Sequence, residues 1–401
     1  MSIETLVLQI LNKMTTIGKW QQIFYTQLFS VLMICRGKHN FTNLSRYCEY
    51  NEATLRSWFA RKFDFLAFNR HLIQTLDDEE RIIAFDPSYL PKSERSTDGV
   101  NRFWSGCANA TKWGLEICGF ASVGLSTKTA LHLIARQTIN QYECASLLEF
   151  YASLVKEHAE ELLLNAQILV ADAYFSKNKF IQAVLCQGFV FVGKLASNAA
   201  LRYRYLGPRT GKRGRPKVYG GVVDKLNPDL NHFTKFYDNT EDKVCAYEGV
   251  VHINLLKRFA KCVIVHSNGK KGEAVVNTFF STDASMNGEK ILKCYKLRFQ
   301  IEFLYRDAKQ HMGLSECQAR SEEKIHTHVN ASLTAVSLAK VAHHLMLPED
   351  ERGAFSLSSI KSLYFNENYI QRILCCFGKT PEFDKKSEKY QELRRYGCIA
   401  A

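Results

Sequence analysis

The stretch "QILVADAYFSKNKFIQAVLCQGFVFVGKL", residues 167–195, decides the fold. Its opening, "QILVADAYFS", is a short apolar run that reads as a buried strand ending in Asp172. "KNKFIQAVLCQG" reads as a helix closed by Gly188, and "FVFVGKL" as a further strand. Upstream, "RIIAFDPSYL" (81–90) reads as a strand that stops at Asp86, where proline follows. "WGLEICGFASVG" (113–124) and "TALHLIARQT" (129–138) form an antiparallel meander, and "YECASLLEFYASLVKEHAEELLL" (142–164), without Gly or Pro, forms a helix. The order is three strands, helix, strand, helix, strand. That is an α/β class with a mixed sheet flanked by helices. The strand at 189–195 is expected to close one edge.

The chain of 401 residues is too long for one compact core. Its net charge of +13, from 53 basic and 40 acidic residues, points to a polyanionic partner, nucleic acid before an anionic membrane surface. Apolar runs such as "FSVLMIC" (29–35) are far too short to span a bilayer, and Glu4 precedes any basic residue, unlike a secretory signal. The thirteen cysteines are scattered, with no CxxC pair, which fits neither a disulfide framework nor a zinc finger. Reduced thiols in a cytoplasm are expected. His326, His328, His343 and His344 lack cysteine or carboxylate partners at ligand spacing, so packing or surface roles are expected of them.

Within residues 1–75, "FTNLSRYCEYNEATLRSWFARKF" (41–63) reads as helix, short turn, helix, with Arg56, Arg61 and Lys62 exposed on the second helix. A DNA-reading helix-turn-helix and an ordinary helical hairpin with a solvated basic face both fit. Residues 196–283 read as a β-rich insertion. Residues 198–221 hold seven Lys or Arg and no acid, among them Lys212, Arg213, Arg215 and Lys217. This loop either enters an A·T minor groove or grips backbone alone, and backbone contact is the favoured reading. Residues 325–347 read as a mostly apolar helix, ended by Pro348.

The stretch "CYKLRFQIEFLYRDAKQHMGL" (294–314) carries the chemistry. On one continuous helix, Tyr295, Arg298, Glu302 and Lys309 fall within roughly 60° of arc, beside a separate apolar stripe that packs on a sheet. A solvated face with ion pairs is one explanation. The other is a site: Asp86 and Asp172 at strand ends, with Glu302 from this helix, supply three hard oxygen donors for two divalent cations.

Tyr295-x2-Arg298-x3-Glu302-x6-Lys309 resembles the Tyr-Arg-Glu-Lys signature of bacterial insertion-sequence DDE transposases at every position and spacing. "AFDPSYL" and "VADAYFS" resemble that family's two aspartate motifs, and the 130 residues from Asp172 to Glu302 leave room for its β-rich insertion. The resemblance covers roughly residues 80–345. It implies an RNase H-like catalytic domain split between 76–195 and 284–347, around the insertion at 196–283. A helical DNA-binding domain at 1–75 would precede it and a helical region at 348–401 would follow. It further implies that Asp86, Asp172 and Glu302 bind two Mg²⁺ ions, with Mn²⁺ as a substitute, and that Tyr295, Arg298 and Lys309 hold DNA phosphates. The implied partners are double-stranded DNA, as element ends and target, and a second copy in a synaptic homodimer. No membrane is implied, and the implied location is the bacterial cytoplasm, at the nucleoid. A metal-dependent nuclease without strand transfer and a transposase-derived regulator are the alternatives.

Replacing Arg213 and Arg215 together by Ala is expected to weaken DNA binding and flatten its salt dependence, by about one unit of slope per lost phosphate contact, in affinity titrations across salt concentrations.

Overall fold

The structure is a computed structural model that describes residues 2–76, 79–139, 146–208, 215–239, 241, 243–269, 273–346, 353–377 and 387–398. Five helices come first: α1 (Ile3–Leu11), α2 (Lys19–Ile34), α3 (Phe41–Leu44), α4 (Glu52–Phe59) and α5 (Phe65–Ile73). Ser2, Asn40, Asn51 and Asp64 cap four of them by accepting backbone N–H groups of the first turn. Then follow β1 (Arg81–Pro91), β2 (Asn101–Ser105), β3 (Ala110–Gly124), β4 (Ala130–Gln137), α6 (Leu147–Glu157), α7 (Ala159–Leu163), β5 (Ile168–Ala171), α8 (Asn178–Cys186) and β6 (Val190–Leu195). The insertion supplies β7 (Leu201–Arg204), β8 (Tyr219–Val222), β9 (Phe233–Asn239), β10 (Val244–Ile253), β11 (Arg258–Asn268) and β12 (Ala274–Ser281). Last come α9 (Gly288–Arg298), α10 (Gln300–His311), α11 (Glu322–Met346), α12 (Leu357–Cys376) and α13 (Glu388–Arg395).

All twelve strands join one mixed sheet, in the order β2-β3-β1-β5-β6-β12-β11-β10-β7-β8, with β4 on β3 and β9 on β10. β1 runs antiparallel to β3 and parallel to β5, which is parallel to β6. Helices cover both faces. On one, Phe85 of β1 packs against Tyr151 of α6 and Phe180 of α8. On the other, α9 lies against β5, β6, β11 and β12, while α5, α10 and α11 lie against β4.

Four sequence expectations are corrected. First, β1 does not stop at Asp86 but continues through Pro87 to Pro91. Its pairing with β5 ends at Phe85, so Pro87 stands where one side of the strand is open, a position that tolerates a missing N–H. Second, β6 does not close the sheet. It pairs with β12, so the strands of 196–283 continue the same sheet. Third, the 294–314 helix breaks at Phe299, whose N–H reaches back only to the Lys296 carbonyl. The tightened turn lets α9 follow the outer strands while α10 lies on β1, β3 and β4, as a twisted sheet demands. Fourth, the helix expected at 142–164 is interrupted at His158, between α6 and α7, and residues 142–145 lie outside the described ones. Pro348 also lies outside them; α11 ends at Met346.

The N-terminal helices share a single hydrophobic core with the sheet. α4 packs on α11, and the buried Asn69 of α5 donates to the Leu133 carbonyl of β4 and the Thr334 hydroxyl of α11, both at 3.0 Å. At the other end, Lys361 of α12 donates to the carbonyls of Leu32 (2.8 Å) and His311 (2.9 Å), fastening α2, α10 and α12 together. Burial pulls its ammonium pKa down to about 8. Among the described residues, no helix is long and apolar enough to cross a membrane.

One glycine fixes the spacing between sheet and helix. Gly119 of β3 lies opposite Asp86, and a Cβ there would collide with the Tyr305 hydroxyl from α10. Gly119→Ala is therefore expected to destabilise the fold by about 1–3 kcal/mol, read as a lowered urea midpoint.

Candidate active site

Strand register brings the first two carboxylates together. Phe85 pairs with Ala171 at the end of the parallel β1–β5 ladder, and Asp86 and Asp172 are the next residue on each side, Asp172 lying just past β5. The Asp86 carbonyl accepts a 2.7 Å hydrogen bond from the Tyr305 hydroxyl, which fixes the backbone beneath it. Asp172 is exposed and caps the short turn 173–175 by accepting the Ala173 N–H. Glu302 comes from the first turn of α10 and Arg298 from the last turn of α9, across the break at Phe299.

Arg298 ties two of these groups into one cluster. Its Nη1 lies 3.4 Å from Asp86 Oδ1, and its Nη2 donates to Glu302 Oε1 at 3.0 Å. The guanidinium is largely buried, and its Nε has no hydrogen-bond partner among the described residues. Burial pushes the Asp86 carboxyl up to about 7; the Arg298 charge opposes this, and Glu302, Asp172 and Glu116 add to it.

This donor set suits hard divalent cations. It offers carboxylate oxygen from three separate elements, it is partly desolvated, and one arginine is a small counter-charge for three acids. Among the described residues, no three acidic, imidazole or thiol groups are yet drawn into a closed metal cage. Arg298 instead bridges Asp86 to Glu302.

The rest of the ridge is more engaged than spacing suggested. The Tyr295 ring packs on Phe279 with centroids 4.9 Å apart, and burial raises its phenol pKa, helped by the Asp172 charge. Lys309 Nζ donates to Ser88 Oγ and to the Tyr89 carbonyl, both at 2.9 Å, so it braces the outer half of β1. Burial lowers its pKa.

The other candidate DNA contacts lie away from this cluster in sequence. Arg56 pairs with Glu52 at 2.6 Å and lies over the Phe41 ring; Arg61 stacks on Trp58 at 4.0 Å. Arg61 and Lys62 are exposed but fall after α4 has ended. Arg215 and Lys217 are exposed, with Lys217 Nζ 4.6 Å from the Tyr205 ring centroid, and Lys212 and Arg213 lie outside the described residues. His328 is buried and meets the Gly313 carbonyl, and His326 contacts Asn330, which are packing roles.

Sequence reasoning missed Tyr305, Gly119 and Glu116. Glu116 is buried, accepting from the Tyr151 hydroxyl at 2.6 Å and from Thr138 Oγ1 at 2.9 Å. An acid inside the apolar run "GLEICGF" was the one available signal. Nothing in helical spacing marks Tyr305, whose partner is a backbone carbonyl 219 residues away.

Residues 126–338 match the family model described as "Transposase DDE domain". The match includes Asp172, Tyr295, Arg298, Glu302 and Lys309 and begins after Asp86. No curated protein matches the chain. Among solved structures, it is similar to a cryo-EM structure of the piggyBac transposase synaptic complex with hairpin DNA. The identity is 11% and the TM-score 0.40, over 95% of this chain and 78% of that one.

The raised Asp86 pKa sets a pH dependence. The folded carboxyl keeps its proton up to about pH 7, whereas an ordinary one releases it near 3.8, so the folded state binds more protons across that window. Without divalent metal, stability should therefore fall as pH rises from about 4 to 7 and level off above, by on the order of 4 kcal/mol from this group. Asp86→Asn should remove that fall, checked by urea denaturation of both proteins over this pH range.

Proposed function

The chain belongs to the transposase DDE-domain family, and from that premise we propose that it is a DNA transposase of a bacterial insertion sequence, of the Tyr-Arg-Glu-Lys group. It binds the terminal inverted repeats of its own element, pairs them as a homodimer in a synaptic complex, cuts the DNA and joins the freed ends to a target. The observation that carries this reading is the single cluster formed by Asp86, Arg298 and Glu302, with Asp172 beside it. The strand directions and the order β4-β3-β1-β5-β6 support an RNase H-like catalytic unit.

Asp86, Asp172 and Glu302 would hold two Mg²⁺ ions, with Mn²⁺ as a substitute. Bound there, the ions supply Lewis acidity to the attacking and leaving oxygens of a phosphodiester. Arg298 is planar and multidentate, a geometry that suits the oxygens of a phosphate as well as those of Asp86 and Glu302. Lys309 uses two of its three protons to hold Ser88 and Tyr89, which keeps the strand carrying Asp86 rigid and leaves one proton for a phosphate. Tyr295 offers its hydroxyl on the same side of the helix. The helices of residues 1–75, with Arg56, Arg61 and Lys62, and the basic insertion loop, with Lys212, Arg213, Arg215 and Lys217, extend the contact along double-stranded DNA.

Glu302→Gln is the direct test, because a neutral amide is a far poorer ligand for a hard cation than a carboxylate. The variant is expected to bind end DNA like the parent while Mg²⁺-dependent nicking drops below detection. Cleavage at the parental rate would overturn the assignment. A pre-cleaved end offered with target DNA separates the activities: joined product is expected, and nicking without joining would leave only a nuclease.

A further inference from the structure

The segment between β1 and the body of β3 folds as a hairpin, β2 with the start of β3, that the sequence reading did not assign. Its register pairs Arg102 with Trp113 and Trp104 with Thr111. Strand alternation then puts Arg102, Trp104 and Trp113 on one face, while Phe103, buried, points to the other. Both tryptophans are open to solvent, Trp104 at 58% and Trp113 at 42% exposed. Two large exposed rings beside an exposed cation are uncommon on a protein surface that has no partner. From Gly99 to Leu115 the chain carries Arg102 and Lys112 and no carboxylate.

The hairpin is tied to the catalytic edge of the sheet. It begins where β1 ends, with Pro91 and Asn101 both in register with Gly114. The Tyr89 hydroxyl donates to the Trp113 carbonyl at 2.7 Å, and the Tyr89 carbonyl accepts from Lys309. The Tyr89 ring lies where a Cβ on residue 114 would be, so Gly114 is needed at the hairpin's root.

We propose that this hairpin is a binding site for unpaired DNA bases, with Trp104 and Trp113 as stacking faces and Arg102 as the phosphate contact beside them. Flat aromatic faces match base faces of any sequence, and base faces are available only where a duplex is opened or sharply kinked. The absence of carboxylates suits a polyanion and disfavours a basic protein partner. The proposal rests on the reading of the chain as a DNA-cutting enzyme.

The test uses the full chain and two probes: a short fully paired duplex, and the same duplex with one unpaired arm carrying 2-aminopurine. The parent protein is expected to bind the forked probe more tightly and to quench its fluorescence. The double variant Trp104→Ala, Trp113→Ala is expected to lose about tenfold or more on the forked probe and little on the paired one, with quenching abolished. Trp104→Phe, Trp113→Phe is expected to retain most of both. Equal losses on the two probes, or no loss on either, would overturn the proposal. So would a changed oligomeric state in sedimentation with forked binding intact, which would make the face a protein contact. If the parent binds neither probe, the underlying reading of a DNA enzyme falls as well; if it binds both alike, only the hairpin site falls.

Discussion

Three carboxylates cannot share a partly dry cleft at neutral pH unless positive charge stands among them. That constraint organises the molecule. Strand register delivers Asp86 and Asp172, helix geometry delivers Glu302, and Arg298 favours the ionised forms of Asp86 and Glu302 against burial and mutual repulsion. Burial still drives the Asp86 carboxyl toward neutrality, so the arginine is only a partial answer to the repulsion. The cluster's negative charge is thus only partly compensated.

The scaffold around the cluster limits its relaxation. Tyr305 holds the Asp86 carbonyl from α10, and Lys309, one turn further along, holds the next two residues of the same strand. Glu302 is on that helix as well. The strand carrying one acid and the helix carrying another are thus tied to each other by Tyr305 and Lys309, with Arg298 from α9 bridging the acids themselves. Stability given up by crowding acids is a common feature of sites kept for chemistry.

Much of this was legible in the sequence, because local patterns report local structure. The strands and helix of 167–195, the meander at 113–138 and the amphipathic stripe of 294–314 each follow from periodicity and from Gly punctuation. The spacing of Arg298 and Glu302 marked two side chains that do meet. What escaped depended on long-range partners. Nothing local says that β6 will continue into β12, that Pro87 stands beside an open strand edge, or that the Lys309 ammonium will be spent on β1. The break at Phe299 escaped for the same reason: its sequence is fully helical in character, and the two helices it separates pack mainly on different strands.

The join between β6 and β12 has a mechanical meaning. Four residue pairs, from Leu195–Thr278 to Val192–Ser281, lace the insertion to the strands bearing the acids. A unit stitched on by a backbone ladder has no hinge there; it cannot pivot without tearing pleated sheet. Any rearrangement of the molecule must then fall to turns and side chains, while the twelve described strands act as one stiff beam from the far insertion rim to the strands that carry Asp86 and lead into Asp172.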